Sequence, residues 1–139
     1  AFPDASAWIG GGLHLTLRSS TPSYAGFKVD FSARSMPRPQ GFRHGYPAFK
    51  ADLALPAAAS GGFVSVRVPF SAFSVDTSEY TGRCDTTDPT GVHHHCCSAA
   101  HPEVCPKAEH LRSLTGMQVW AEGVEGAFEL EIRAIEAGP

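Results

Sequence analysis

Apolar and polar residues alternate one for one along much of the chain. Leu13, Leu15 and Leu17 stand against His14, Thr16 and Arg18, and a period of two sends the two sets to opposite faces of a half-buried strand. After the turn-rich run Ser19-Ser20-Thr21-Pro22-Ser23, Phe27, Val29 and Phe31 alternate with Lys28, Asp30 and Ser32 and predict a second strand. Pro37, Pro39 and Gly41 punctuate a loop from Met36 to Gly45, beyond which Phe49, Ala51, Leu53 and Leu55 mark a third. A fourth opens at Gly61-Gly62, with Val64, Val66, Val68 and Phe70 inward and Ser65 and Arg67 outward. Pro69 ends central pairing there because it has no N–H to donate. Met117 to Glu122 predicts a fifth strand. In the sixth, Phe128, Leu130, Ile132 and Ala134 alternate with Glu129, Glu131 and Arg133, and Gly123-Val124-Glu125-Gly126 between the two reads as a hairpin loop.

Period-two segments separated by Gly and Pro turns, with almost no helical periodicity, predict an all-β fold of two antiparallel sheets packed face to face. Each inward Val, Leu, Ile or Phe contributes roughly 1.5–3 kcal/mol when fully buried. The one helix the pattern supports runs from Pro106 to Leu114, with Pro106 suited to its first turn and Gly116 just past its end.

At 139 residues the chain has the size of one domain, residues 1–139. Hydrophobic residues make up 42% and charged residues 18%, a composition that packs a core and does not suit a disordered tail. The net charge of -3 comes with scattered Lys and Arg and no basic stripe to neutralise phosphates, so no nucleic-acid partner is expected. No apolar run approaches the ~20 residues needed to cross a bilayer, so any membrane association is expected to be peripheral. Ala1 to Ala7 lack the charged start and apolar middle of a secretion signal; either a signal has been removed or the sequence begins downstream of one.

Between Ser74 and Gly116 the alternation disappears for far longer than the ~12–15 residues at which structureless loops become uncommon. All four cysteines, Cys84, Cys96, Cys97 and Cys105, fall in this 74–116 insertion. Their even number in one loop predicts two disulfides, each worth about 2–4 kcal/mol. A Cys96–Cys97 bond would strain the adjacent residues. Two connectivities remain, each joining Cys84 to one of the adjacent pair and Cys105 to the other. Persistent disulfides imply an oxidising compartment.

His93, His94, His95, His101 and His110 surround these cysteines and raise the alternative of a zinc site. The Cys-x-x-Cys and His-x-x-x-His spacings that put two ligands on one turn are absent, and a histidine run in a solvated loop is the plainer reading. No metal and no cofactor are expected. The nucleophile elbow, the phosphate-binding glycine loop and the His-Glu-x-x-His helix are missing too. Asp85, Asp88 and Glu103 are the acids available for a glycosidase pair, but acids in loops are usually solvated. No catalytic residue is assigned and the chain is expected not to be an enzyme. Trp8, Tyr24, Tyr46, Tyr80 and Trp120 are candidates for stacking on sugar rings, against the commoner role of aromatics in sandwich packing.

Val68-Pro69-Phe70-Ser71-Ala72-Phe73, followed by Tyr80-Thr81-Gly82-Arg83-Cys84, resembles the complex I intermediate-associated protein 30 domain. There a strand ending in Pro-Phe-Ser-x-Phe precedes a Gly-Arg. Gly126 to Ile135 is similar to that domain's closing strand, and with Tyr24 to Phe31 the resemblance spans most of residues 9–136. Cys84-Asp85, His95-Cys96-Cys97, Cys105-Pro106 and Val119-Trp120-Ala121-Glu122-Gly123 resemble an algal, cysteine-containing branch. The resemblance implies a galactose-binding-like jelly roll without catalytic residues. Members are known as assembly factors for respiratory complex I or, in a plastid branch, for photosystem II biogenesis.

The chain departs from the family at its start, where the opening strands are reduced to Trp8-Ile9-Gly10-Gly11-Gly12. N-terminal strands are therefore expected to be missing, leaving edge groups for a neighbouring subunit or an unseen segment to cover. The disulfides depart from a mitochondrial-matrix version. The functional expectation is a non-catalytic accessory or assembly subunit, docking peripherally on protein subunits of an organellar membrane complex. A thylakoid-lumen photosystem stands ahead of respiratory complex I in the mitochondrion. The 74–116 loop is the expected docking element, with no individual partner-binding residue identified. The alternative is a carbohydrate-binding module.

Overall fold

The structure, a computed structural model, describes residues 2–39, 42 and 45–139. Of the predicted Met36 to Gly45 loop, residues 40, 41, 43 and 44 lie outside the described residues, as does Ala1. Two three-stranded antiparallel sheets pack as a sandwich. One has β1 (Gly12–Arg18) between β4 (Val64–Pro69) and β8 (Glu131–Gly138). The other has β2 (Phe27–Ala33) between β3 (Phe49–Asp52) and β7 (Leu114–Ala121). The chain changes sheets between β1 and β2, which brings the inward leucines Leu13, Leu15 and Leu17 onto Phe27, Val29 and Phe31 in one core. Phe31 is its hub, with the rings of Phe49, Phe70 and Phe73 centred 5.3, 5.9 and 5.0 Å away.

The first four strands and their facing follow the period-two reading, and β4 stops at Pro69. The third is shorter than predicted. It ends at Asp52, and although Leu53 is still buried and still hydrogen-bonded to Phe27, Pro56 leads the chain into a 3-10 turn at Ala57–Ser60.

The C-terminal part departs further from the pattern. Gly123 to Gly126 does not close a hairpin, because β7 pairs with β2 and β8 with β1, in opposite sheets. The connection crosses the end of the sandwich. It is pinned by the Tyr24 hydroxyl donating to the Val124 carbonyl at 2.7 Å, and by Ser20, whose N–H and hydroxyl donate to the Glu129 carboxylate at 2.8 and 2.9 Å. The closing strand starts at Glu131, later than predicted. Phe128 lies outside it, 54% exposed, with its ring 5.3 Å from Tyr24. Leu17 pairs with Ile132 and Thr16 with Ala134, so Arg133 is an extra residue in the ladder. That bulge flips the phase: Ala134 sits opposite outward-facing Thr16, and Ile135 and Ala137 join the core.

The predicted helix is also shorter. α1 spans Ala108–Arg112, Pro106 lies before it, and Leu114 already belongs to β7, as does Gly116. Its start is capped by His110, whose Nδ1 accepts the Lys107 N–H at 2.9 Å. Within the 74–116 insertion, β5 (Thr86–Thr87) and β6 (His93–His94) form a small ribbon.

Candidate functional site

The disulfides are Cys84–Cys96 and Cys97–Cys105, with Cα atoms 4.9 and 4.7 Å apart, which decides between the two connectivities that spacing allows. The insertion they staple does not project from the sandwich. Ser74 exchanges backbone hydrogen bonds with Lys50 at 2.9 and 3.0 Å, a one-residue bridge on the side of β3 away from β2. Farther on, the loop lies against the end of β7. Gly123, at φ +75°, fits there only because it has no Cβ, which would come 2.6 Å from the Thr81 carbonyl oxygen.

Its second anchor is a buried ionic clamp. His94 Nδ1 donates to Asp76 Oδ1 and Nε2 to Asp88 Oδ2, both at 2.7 Å. Asp76 also accepts the His95 N–H at 2.8 Å, and Asp88 accepts the Ser78 hydroxyl at 2.6 Å. An ionised carboxylate only accepts hydrogen bonds, so a ring donating at both nitrogens is an imidazolium. Burial by itself would lower the His94 pKa, but the hydrogen bonds to Asp88 and Asp76 and their charges outweigh it and raise the value. For Asp88, burial pushes up, and the hydrogen bonds from His94 and Ser78 prevail to hold the carboxyl below its usual range.

The other histidines serve separate contacts. The rings of His95 and His101 stack at 3.9 Å, His93 meets His95 edge-on at 4.9 Å, and His110 packs on Phe49 at 4.8 Å with its pKa lowered by burial. Every cysteine is in a disulfide, and among the described residues no group of His, Cys, Asp and Glu converges as metal ligands. The candidate acids are also dispersed. Asp88 belongs to the clamp, Glu103 faces His101 at 3.4 Å, and Asp85 occupies a left-handed turn at φ 53°.

Two concavities bear on function. One is a groove on the outer face of the β3-β2-β7 sheet, in two adjoining parts of about 930 and 430 Å³ that share Asp30, Tyr46, Gln118 and Trp120. Outward residues of the strands form its floor, while the segment around Tyr46 and the loop from Val75 to Glu79 form walls. The Trp120 indole N–H donates to Asp30 Oδ2 at 2.7 Å. Lys50 Nζ lies 2.6 Å from Glu122 Oε1 and 5.0 Å from the Trp120 ring centre. Burial raises the Asp30 pKa against the Trp120 hydrogen bond and the Lys50 charge. The period-two reading placed Asp30 and Lys50 on the face opposite the apolar residues of their strands; nothing in the alternation signals that a loop elsewhere in the chain walls that face into a groove.

The other concavity is an apolar cleft of about 630 Å³ between β7 and β8, lined by Trp8, Leu13, Phe31, Leu114, Met117 and Ile135 among others. Both strands are edges, each paired on one side only among the described residues. Of the candidate aromatics, Tyr46 and Trp120 meet in the groove, Trp8 borders the cleft, Tyr24 packs on Phe27 and Phe128, and Tyr80 is exposed on the insertion.

No helix among the described residues is long and apolar enough to cross a membrane. The chain matches no family model, no curated protein and no solved structure. Its class is therefore the one the geometry defines: an all-β sandwich with a cross-linked insertion, a polar groove on one sheet and an apolar opening between two free strand edges.

Proposed function

We propose that this chain is a non-catalytic accessory or assembly subunit that docks on a protein partner through the β7/β8 opening. The observation that carries the reading is β7 itself: eight residues, Leu-Thr-Gly-Met-Gln-Val-Trp-Ala, with no charge and no proline, unpaired on one side among the described residues and bordering an apolar cleft. Edge strands are normally blunted by charge, proline or a cover, because their free N–H and C=O groups recruit another strand. An edge left this way suits strand addition, with main-chain hydrogen bonds for affinity and the cleft for alternate side chains. This reading moves the docking surface from the insertion, which folds back on its own sheet, to the open edge.

The resemblance to the complex I intermediate-associated protein 30 domain supports an organellar membrane complex as the setting, and the two disulfides support the thylakoid lumen and a photosystem ahead of respiratory complex I. The test is gentle solubilisation of native membranes, followed by native gel separation and detection of this polypeptide. Co-migration with a large complex, lost in a Trp8→Glu, Phe2→Glu double variant that stays folded and charges two exposed residues of the cleft, is the expected result. A wild-type chain that migrates alone, or a variant that stays in the complex, overturns it.

A further inference from the structure

The groove on the outer face of the β3-β2-β7 sheet has no part in that docking, and its chemistry is different. The volumes of its two parts fall in the range of about 300–1,000 Å³ typical of small-molecule sites. Its floor rests on paired strands, which hold side chains more precisely than loops do. Asp30, only 4% exposed, anchors the Trp120 indole by its N–H, and Lys50 over the same ring is tied to Glu122. Trp120 is therefore a fixed platform, and 41% of it remains open. Tyr46 is 92% exposed and lines both parts of the groove, between Gly45 at φ +69° and Pro47.

Charge narrows the ligand class. The cations on the groove, Arg34, Arg38 and Lys50, are matched by the acids Asp30, Glu79 and Glu122. A site for phosphate or a polyanion would be dominated by cations. Balanced donors and acceptors beside aromatic faces suit a neutral molecule with an apolar face and a polar rim. A sugar ring has that shape, with C–H groups on its face and hydroxyls around its edge.

We propose that this groove binds a neutral oligosaccharide, with sugar rings on Trp120 and Tyr46 and hydroxyls hydrogen-bonded by Gln118, Lys50 and Glu122. The site opens on the outer face of the sheet and the β7/β8 opening lies at its edge, with Met117 bordering both, so the chain would hold a glycan and a protein partner on adjoining surfaces.

The experiment screens the full chain against immobilised neutral glucans, xylans, mannans and galactans, with sulfated and uronate glycans alongside, and then titrates the best neutral binder by calorimetry. A Trp8→Phe background leaves Trp120 as the sole tryptophan, so its fluorescence reports occupancy of the groove directly. Expected are saturable binding to a neutral glycan, a Trp120 emission shift, little change with salt, and weakening by about tenfold or more in Trp120→Ala and in Tyr46→Ser. The second variant changes an almost fully exposed side chain and leaves the fold intact. No saturable binding by the folded chain, binding unaffected by Tyr46→Ser, or binding confined to anionic glycans and abolished by salt would each overturn the proposal. The Trp8→Glu, Phe2→Glu variant, which changes two exposed residues of the cleft and none of the groove, should bind the glycan normally, so failure of the docking reading and failure of this one give different results.

Discussion

β2 and the insertion beginning at Ser74 are both anchored by buried residues, through opposite chemistry. β2 is covered because Phe27, Val29 and Phe31 leave water for a core of leucines and other phenylalanines. The insertion, exposed over much of its length, is anchored at buried residues that include Ser74, Asp76, Ser78 and His94; it is held by two disulfides and by hydrogen bonds near 2.7 Å between charged groups. Apolar burial has no direction, so a core accepts any well-shaped neighbour. Polar burial is directional, and each group needs its own partner at the correct distance. One region should therefore fail globally and gradually, the other locally and in response to solution chemistry.

The sharpest way to break this contrast is Phe31→Ala. Removing the hub of the aromatic cluster should cost about 3–5 kcal/mol and lower the urea midpoint of the whole domain, read by tryptophan fluorescence. A loss below ~1 kcal/mol would mean that the core is organised elsewhere. Next is removal of a staple: Cys84→Ser with Cys96→Ser should cost about 2–4 kcal/mol. Hydrogen exchange should show amides from 76 to 96 losing protection while β1 and β2 keep theirs. Uniform loss across the sandwich would erase the distinction between the regions.

The ionic clamp should respond to pH in both directions. The His94 pKa is raised from its ordinary 6.5, so this contribution is complete below 6.5 and disappears as pH rises through the raised value. The Asp88 pKa is lowered from 3.8, so its contribution is complete above 3.8 and disappears as pH falls through the lowered value. Protection of the insertion should be greatest between those limits and fall on either side. In His94→Asn the alkaline fall should vanish; if it persists, the clamp is not its source. The smallest effect is expected for Tyr46→Ser, within about ±0.5 kcal/mol by thermal melting, because this side chain serves the groove and not the fold.

The alternation of Leu13 to Leu17, Phe27 to Phe31 and Val64 to Val68 made the strands, their facing and the sandwich legible, since period two follows from local backbone geometry. The closing strand was only half legible. An inserted Arg133 reversed its phase, and a bulge is a property of the pairing with β1 and not of the residues alone. The predicted hairpin failed for the same reason: Gly123 to Gly126 mark a turn, but which sheet the chain enters afterwards is decided by distant strands.

By its sequence alone, this protein was determined to be an all-β domain with a cross-linked insertion, because alternation and cysteine number are carried by neighbouring residues. Only the tertiary structure decided that Cys84 meets Cys96, that His94 sits between Asp76 and Asp88, and that Asp30, Lys50 and Trp120 share one groove. Those arrangements join residues from separate parts of the chain, and only the pairing of distant strands and the folding back of the insertion bring them together.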